Sequence, residues 1–220
     1  MIIILIFGGG YLYMTRGEEA PEKAGDENYM TFFVTSKNPG KGADLGGLSG
    51  ADQYCQSLAE TASVGDQTWR AYLSATASET ATAVNARDRI GSGPWHNFKG
   101  ALIANNLDEL HVDNMITKET ALTEKGETVS GRGDAINIHD ILTGSGPLGM
   151  ASTTAADTTC RNWTSSGEGS AIVGHHDRMG LDESAEAKSW NSSHVTRGCS
   201  VDNLKSTGGG GLFYCFAVTE

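Results

Sequence analysis

Apolar residues fall in short blocks along most of this chain, and the blocks are strand-sized rather than helix-sized. Met30 to Ser36 (MTFFVTS) sets β-branched and aromatic residues between polar flanks and predicts a short strand. A glycine-rich loop, Asn38 to Gly50, follows it. Ala51, Tyr54, Cys55, Leu58 and Ala62 then recur at helical spacing. With Ser49 placed to cap and Asp52 in the first turn, they predict a helix that turns Cys55 toward a core. Trp69 to Ser74 and Ala101 to Ala104 read as strands. Residues 105–131 are polar and mixed, and Glu119 to Glu127 (ETALTEKGE) resembles a helical turn. Arg132 to Gly149 reads as loop with a short strand inside Ile136 to Leu142, and Cys160 to Thr164 and Ala171 to Gly174 are further strand candidates. Leu212 to Val218 (LFYCFAV) is apolar on both faces, so it predicts a central strand covered on both sides, with Cys215 in its middle.

The amino-terminal block is different. Ile2 to Met14 is apolar but interrupted by Gly8, Gly9 and Gly10. It is shorter than the ~18–20 residues of a membrane span and suits the apolar region of a secretory signal. Residues 1–16 are therefore expected to be a signal peptide or amino-terminal anchor, and residues 17–28, with Glu18, Glu19, Glu22, Asp26 and Glu27, an acidic linker. Residues 29–220 remain as one folded domain. The expected location is secreted, periplasmic or cell-surface, with membrane contact only through the amino-terminal segment.

Composition narrows the picture. There are 29 glycines in 220 residues, well above the usual ~7%, with no collagen-like period. That implies many tight turns and shaped loops. The balance of 16 Lys+Arg against 27 Asp+Glu gives −11, which argues against a nucleic-acid partner. The four cysteines, Cys55, Cys160, Cys199 and Cys215, form no C-x-x-C pair. An even number of widely spaced cysteines behind a signal-like segment reads as two disulfides, and spacing leaves all three connectivities open.

The order of these features resembles the C-type lectin-like fold, and in particular bacterial extracellular domains of its endostatin-like branch. The resemblance rests on FFVTS (Phe32–Ser36), LGGLSGADQYCQ (Leu45–Gln56), WRAYLS (Trp69–Ser74), GPWHN (Gly93–Asn97), HDILTGS (His139–Ser145), CRNWTS (Cys160–Ser165), GHHDR (Gly174–Arg178) and GGGGLFYCFA (Gly208–Ala217). It implies an α+β domain with small antiparallel sheets, one or two helices, long irregular loops and two disulfides. It also implies the pairing Cys55–Cys215, between helix and last strand, and Cys160–Cys199, between loops. The function it implies is binding of a surface glycan or an extracellular protein, without catalysis.

Calcium and zinc are the cofactors to weigh. Calcium-dependent lectins place Trp-Asn-Asp beside a Glu-Pro-Asn or Gln-Pro-Asp loop. Here the first motif is Trp190-Asn191-Ser192 and the second does not occur, so the usual calcium–sugar site is not expected. Histidine and aspartate cluster instead: His139-Asp140, His175-His176-Asp177-Arg178 and His194. The plainer expectation is that these groups hydrogen-bond loop backbone and one another. The sharper one is a zinc site drawn from His139, His175, His176, Asp177 and His194, supporting metal binding or hydrolysis. Neighbours on a strand point opposite ways, so His175 and His176 do not both ligate one ion from a regular strand. No G-x-S-x-G, H-E-x-x-H or P-loop pattern points to an enzyme. The expected ligand contacts are Trp95, His139, Asp140, Trp163, His175, His176, Asp177, Arg178, Trp190, Asn191 and His194. Arg132-Gly133-Asp134 spells an integrin-binding tripeptide but is read as a turn.

Overall fold

The computed structural model describes residues 29–154 and 156–219. The expected signal and linker segments, 1–16 and 17–28, lie outside the described residues. The organising element is the longest strand, β8 (Gly209–Ala217), near the carboxyl terminus. The other strands are β1 (Phe32–Val34), β2 (Trp69–Ala71), β3 (Trp95–His96), β4 (Leu102–Ala104), β5 (Asp140–Leu142), β6 (Ile172–His175) and β7 (His194–Val195). The main sheet runs β1-β8-β5-β6-β7, with β2 also paired to β8. β1 and β2 bracket the same stretch of β8, and Phe33 and Ala71 both register against Cys215. β5 runs parallel to β8, whereas β5–β6 and β6–β7 are antiparallel. A separate ribbon pairs β3 with β4.

β8 is apolar on both faces because both are covered. Phe213, Cys215 and Ala217 join one buried cluster with Phe33, Trp69, Trp163 and the inner face of helix α1 (Gly47–Thr61). Leu212, Tyr214 and Phe216 join a second with Tyr72, Trp95, Ile103 and Trp190. Strand alternation thus divides six consecutive apolar residues, Leu212 to Ala217, between two cores.

Several expectations are corrected. Helix α1 begins at Gly47 behind Gly46, whose φ is 77°, and no side chain caps it, so Ser49 lies inside the first turn. The helical turn expected at Glu119 to Glu127 is instead bridged turn structure, with Leu122 against Thr128. The nearby helix is α2 (Leu107–Val112), where the Asn106 side chain accepts from the Glu109 N–H. Cys160 to Trp163 is not a strand but a left-handed turn, with φ of 48°, 54°, 55° and 65°. L-residues resist that conformation. It is held by the Cys160–Cys199 disulfide, by Asn162 bonding the Thr76 backbone, and by Trp163 Nε1 donating to Ser74 O.

Both disulfides form as the resemblance implied. Cys55 on α1 meets Cys215 on β8, and Cys160 meets Cys199. They close loops of 160 and 39 residues. In the chain-entropy account these closures contribute about 5 and about 4 kcal/mol. Denaturant unfolding is expected to show the larger loss for the Cys55→Ala/Cys215→Ala pair and the smaller for Cys160→Ala/Cys199→Ala. The reverse order would place the main constraint in the loops rather than between helix and sheet.

Candidate functional site

The sheet brings one set of side chains together at an end of β5, β6 and β7. Asp140 opens β5 and registers directly against His175, the last residue of β6. His194 opens β7, and Val173 of β6 registers against it. His139 lies one residue before β5, outside the regular strand, so strand alternation does not separate it from Asp140. Gly174 makes the assembly possible. A Cβ there would meet the Trp190 carbonyl at 1.9 Å, so only glycine lets the 190–194 backbone run against β6.

Three imidazoles face one carboxylate oxygen. Asp140 Oδ1 lies 3.2 Å from His139 Nε2, 3.3 Å from His175 Nε2 and 3.4 Å from His194 Nε2. The His139 and His175 rings stack, with centroids 4.2 Å apart and planes within 7°. Asp140 is 1% exposed, His139 3% and His175 4%, while His194 is half-buried. The contacts are close but miss hydrogen-bond alignment: both Asp140 oxygens and His175 Nε2 are buried without a hydrogen-bond partner. Burial acts to raise the Asp140 carboxyl, but His175 and His194, with the further charge of His139, outweigh it and hold it below the usual carboxylate range. The contact with Asp140 raises His194 against the opposing effect of burial.

The other ring nitrogens are all engaged. His139 Nδ1 lies 3.1 Å from Asp177 Oδ1, His175 Nδ1 2.7 Å from Ala187 O and His194 Nδ1 3.2 Å from Val195 O. Asp177 is itself fixed, since its carboxylate accepts from the backbone N–H of Arg132 and of Met179. Burial pulls the Asp177 carboxyl up, but His139 and these two N–H groups pull it further down, well below the usual range. His139, Asp140 and His175 are the group of potential metal ligands within 4.8 Å of one another, with His194 beside them.

A pocket of about 670 Å3 opens over this cluster. His139, His175 and His194 line it, and Arg132, Arg197 and Lys205 add charge. Gly208 lines it too, and a Cβ there would stand 3.1 Å from His139 Nε2, so the glycine leaves that nitrogen uncovered.

The remaining expected contacts lie elsewhere. Trp95 and Trp163 are wholly buried, and Trp190 is 3% exposed among Tyr72, Tyr214 and His111. These tryptophans are core rather than a sugar-stacking surface. Asn191 is buried and donates to Tyr72 Oη and to the carbonyls of Gly146 and Pro147. The Arg178 guanidinium donates to Ile116 O, Lys188 O and Asn114 Oδ1, which ties the 177–188 segment to its neighbours. His176 points away from His175, with Nε2 3.4 Å from Ser130 O. In the Arg132-Gly133-Asp134 turn, the exposed Asp134 pairs with Lys118 at 2.6 Å. As pocket residues, Arg132, Asn137, Arg197, Lys205 and Gly208 are not marked in the sequence: Lys205 ends a short helix (Val201–Lys205), and the others sit on loops whose composition carries no period. No family model matches the chain, and no curated protein matches it either.

Burial is the main reason the His176 imidazole is pushed down from its ordinary 6.5 to about 4. Asp177 and the Ser130 carbonyl pull weakly the other way. The unfolded chain takes up a proton near pH 6.5, whereas the folded chain resists it down to about pH 4. The stability due to neutral His176 is therefore complete above pH 6.5 and lost as pH falls toward 4, by about 3 kcal/mol. Denaturation midpoints measured in chelator should fall across that window, and His176→Gln should flatten the slope. An equal slope in the variant would assign the pH dependence to other groups.

Proposed function

We propose that the chain is an exported, disulfide-braced binding module of C-type lectin-like fold, and that its ligand is an acidic glycan held in the pocket over the His/Asp cluster. The scaffold reading is supported by three features together: the helix-to-last-strand disulfide, the second disulfide between loops, and a carboxyl-terminal strand buried on both faces. Export is supported by the two disulfides, which persist in oxidising compartments. Among the described residues no helix is long and apolar enough to cross a membrane.

The observation that carries the ligand reading is the pocket's chemistry. Asn137, Ser184, Ser193, Ser206 and Thr207 offer amide and hydroxyl groups, while Leu181 is the one large apolar residue in the wall. Asp182 and Glu186 add acceptors for sugar hydroxyls. Arg132, Arg197 and Lys205 form no ion pair among the described residues, although the chain carries a large acidic excess. Free cations beside hydroxyl-rich walls suit a ligand with both hydroxyls and a carboxylate, sulfate or phosphate. The calcium–sugar arrangement is not part of this reading, since Asn191 is spent inside the core.

A glycan array probed with the purified chain, with and without added calcium, tests the reading. Acidic glycans are expected to bind over their neutral counterparts, equally in both conditions. Arg197→Gln with Lys205→Gln should weaken binding about ten-fold or more, roughly 1.4 kcal/mol. Strict calcium dependence, or binding untouched by the double variant, would overturn it.

A further inference from the structure

The floor of the pocket holds a second kind of site. We infer that His139, Asp140, His175 and His194 bind a divalent cation of the zinc class. The first ground is spacing. Ligands 2.0–2.1 Å from a tetrahedral ion stand about 3.3 Å from one another. Asp140 Oδ1 stands 3.2, 3.3 and 3.4 Å from the three Nε2 atoms. These oxygen–nitrogen separations match that spacing, and ligand atoms of His139, Asp140 and His175 all lie within 4.8 Å of one another, with His194 joined to them through Asp140 Oδ1.

The second ground is the direction of the lone pairs. A carboxylate or a carbonyl oxygen only accepts, so Nδ1 of each histidine must be the protonated nitrogen. In a neutral imidazole that leaves the lone pair on Nε2, the atom that faces Asp140. The lone pair of His175 Nε2 and both Asp140 oxygens are then buried with no hydrogen-bond partner. Protonating all three rings would relieve Asp140 by placing three positive charges around a single negative one, with two of the rings stacked 4.2 Å apart. A divalent ion serves all four atoms at once and adds only one charge in excess of the carboxylate.

The third ground is the support behind the ligands. Asp177 fixes His139 through Nδ1 and is itself held by two backbone N–H groups. Such a carboxylate–histidine arrangement orients a ring toward a metal and raises its basicity. Gly208 keeps the space beside His139 Nε2 clear. His194, the least buried member, opens on the pocket and gives the ion a way in. Three imidazoles with a single carboxylate favour zinc and its transition-metal neighbours; calcium or magnesium would call for more oxygen ligands.

The test uses the purified chain, stripped with chelator and titrated with zinc by calorimetry, with metal content read after dialysis. About one zinc per chain is expected, with a rise in Tm. His194→Ala, at a half-exposed position where folding is safe, should weaken zinc at least ten-fold. Asp140→Asn with His175→Ala should abolish binding. Asp177→Asn, a positioning change, should weaken it 10- to 100-fold. His96→Gln, on β3 in the separate β3–β4 ribbon, should leave it unchanged. Cobalt in place of zinc should give a tetrahedral visible spectrum that is lost in His194→Ala. A stripped chain that folds but takes up no zinc, or zinc binding that survives His194→Ala unaltered, would overturn the site. Glycan binding without zinc would contradict this inference alone, and zinc without glycan binding would contradict only the ligand reading.

Discussion

Burying a carboxylate is expensive unless something positive or hydrogen-bonding meets it, and Asp140 is 1% exposed with neither oxygen hydrogen-bonded. Much of the surrounding construction bears on that one group. Its register partner across the strands is His175, the residue before it is His139, and the strand beyond β6 begins with His194. Each imidazole shows Asp140 its Nε2 because an acceptor occupies its Nδ1. A cation at their centre would make one ligand set of the four groups.

The scaffold explains how so exacting an arrangement is held on loop-rich chain. β8 carries apolar residues on both faces and pins the sheet between two cores. One disulfide ties its middle to α1, and the other ties the left-handed turn at Cys160 to Cys199, five residues past His194. The long segments between strands can then be irregular while their ends stay fixed. The pocket sits where those fixed ends meet the loops, so a rigid ion site and an adaptable polar wall adjoin each other.

The elements legible in the sequence were those with a period. The α1 face shows in the spacing of Ala51, Cys55 and Leu58, and β8 shows in an unbroken apolar run. The disulfide pairing came from resemblance, since spacing alone left it open. The left-handed turn at Cys160 to Trp163 could not be read, because non-glycine residues with positive φ leave no mark in hydropathy. For the site, the right residue types were visible but their sorting was not. Alternation separates His175 from His176, yet His139 and Asp140 come together because His139 precedes the regular strand that Asp140 opens. The tryptophans misled for a physical reason: the same large ring suits a sugar face and a core, and only burial distinguishes the two uses.

X-ray absorption at the zinc edge, on the full chain after equilibration with zinc, addresses the ion site most directly. The account predicts nitrogen and oxygen neighbours at about 2.0–2.1 Å, with the outer-atom scattering of three imidazoles and no sulfur. Neighbours that are all oxygen, or fewer than two imidazoles, would contradict it.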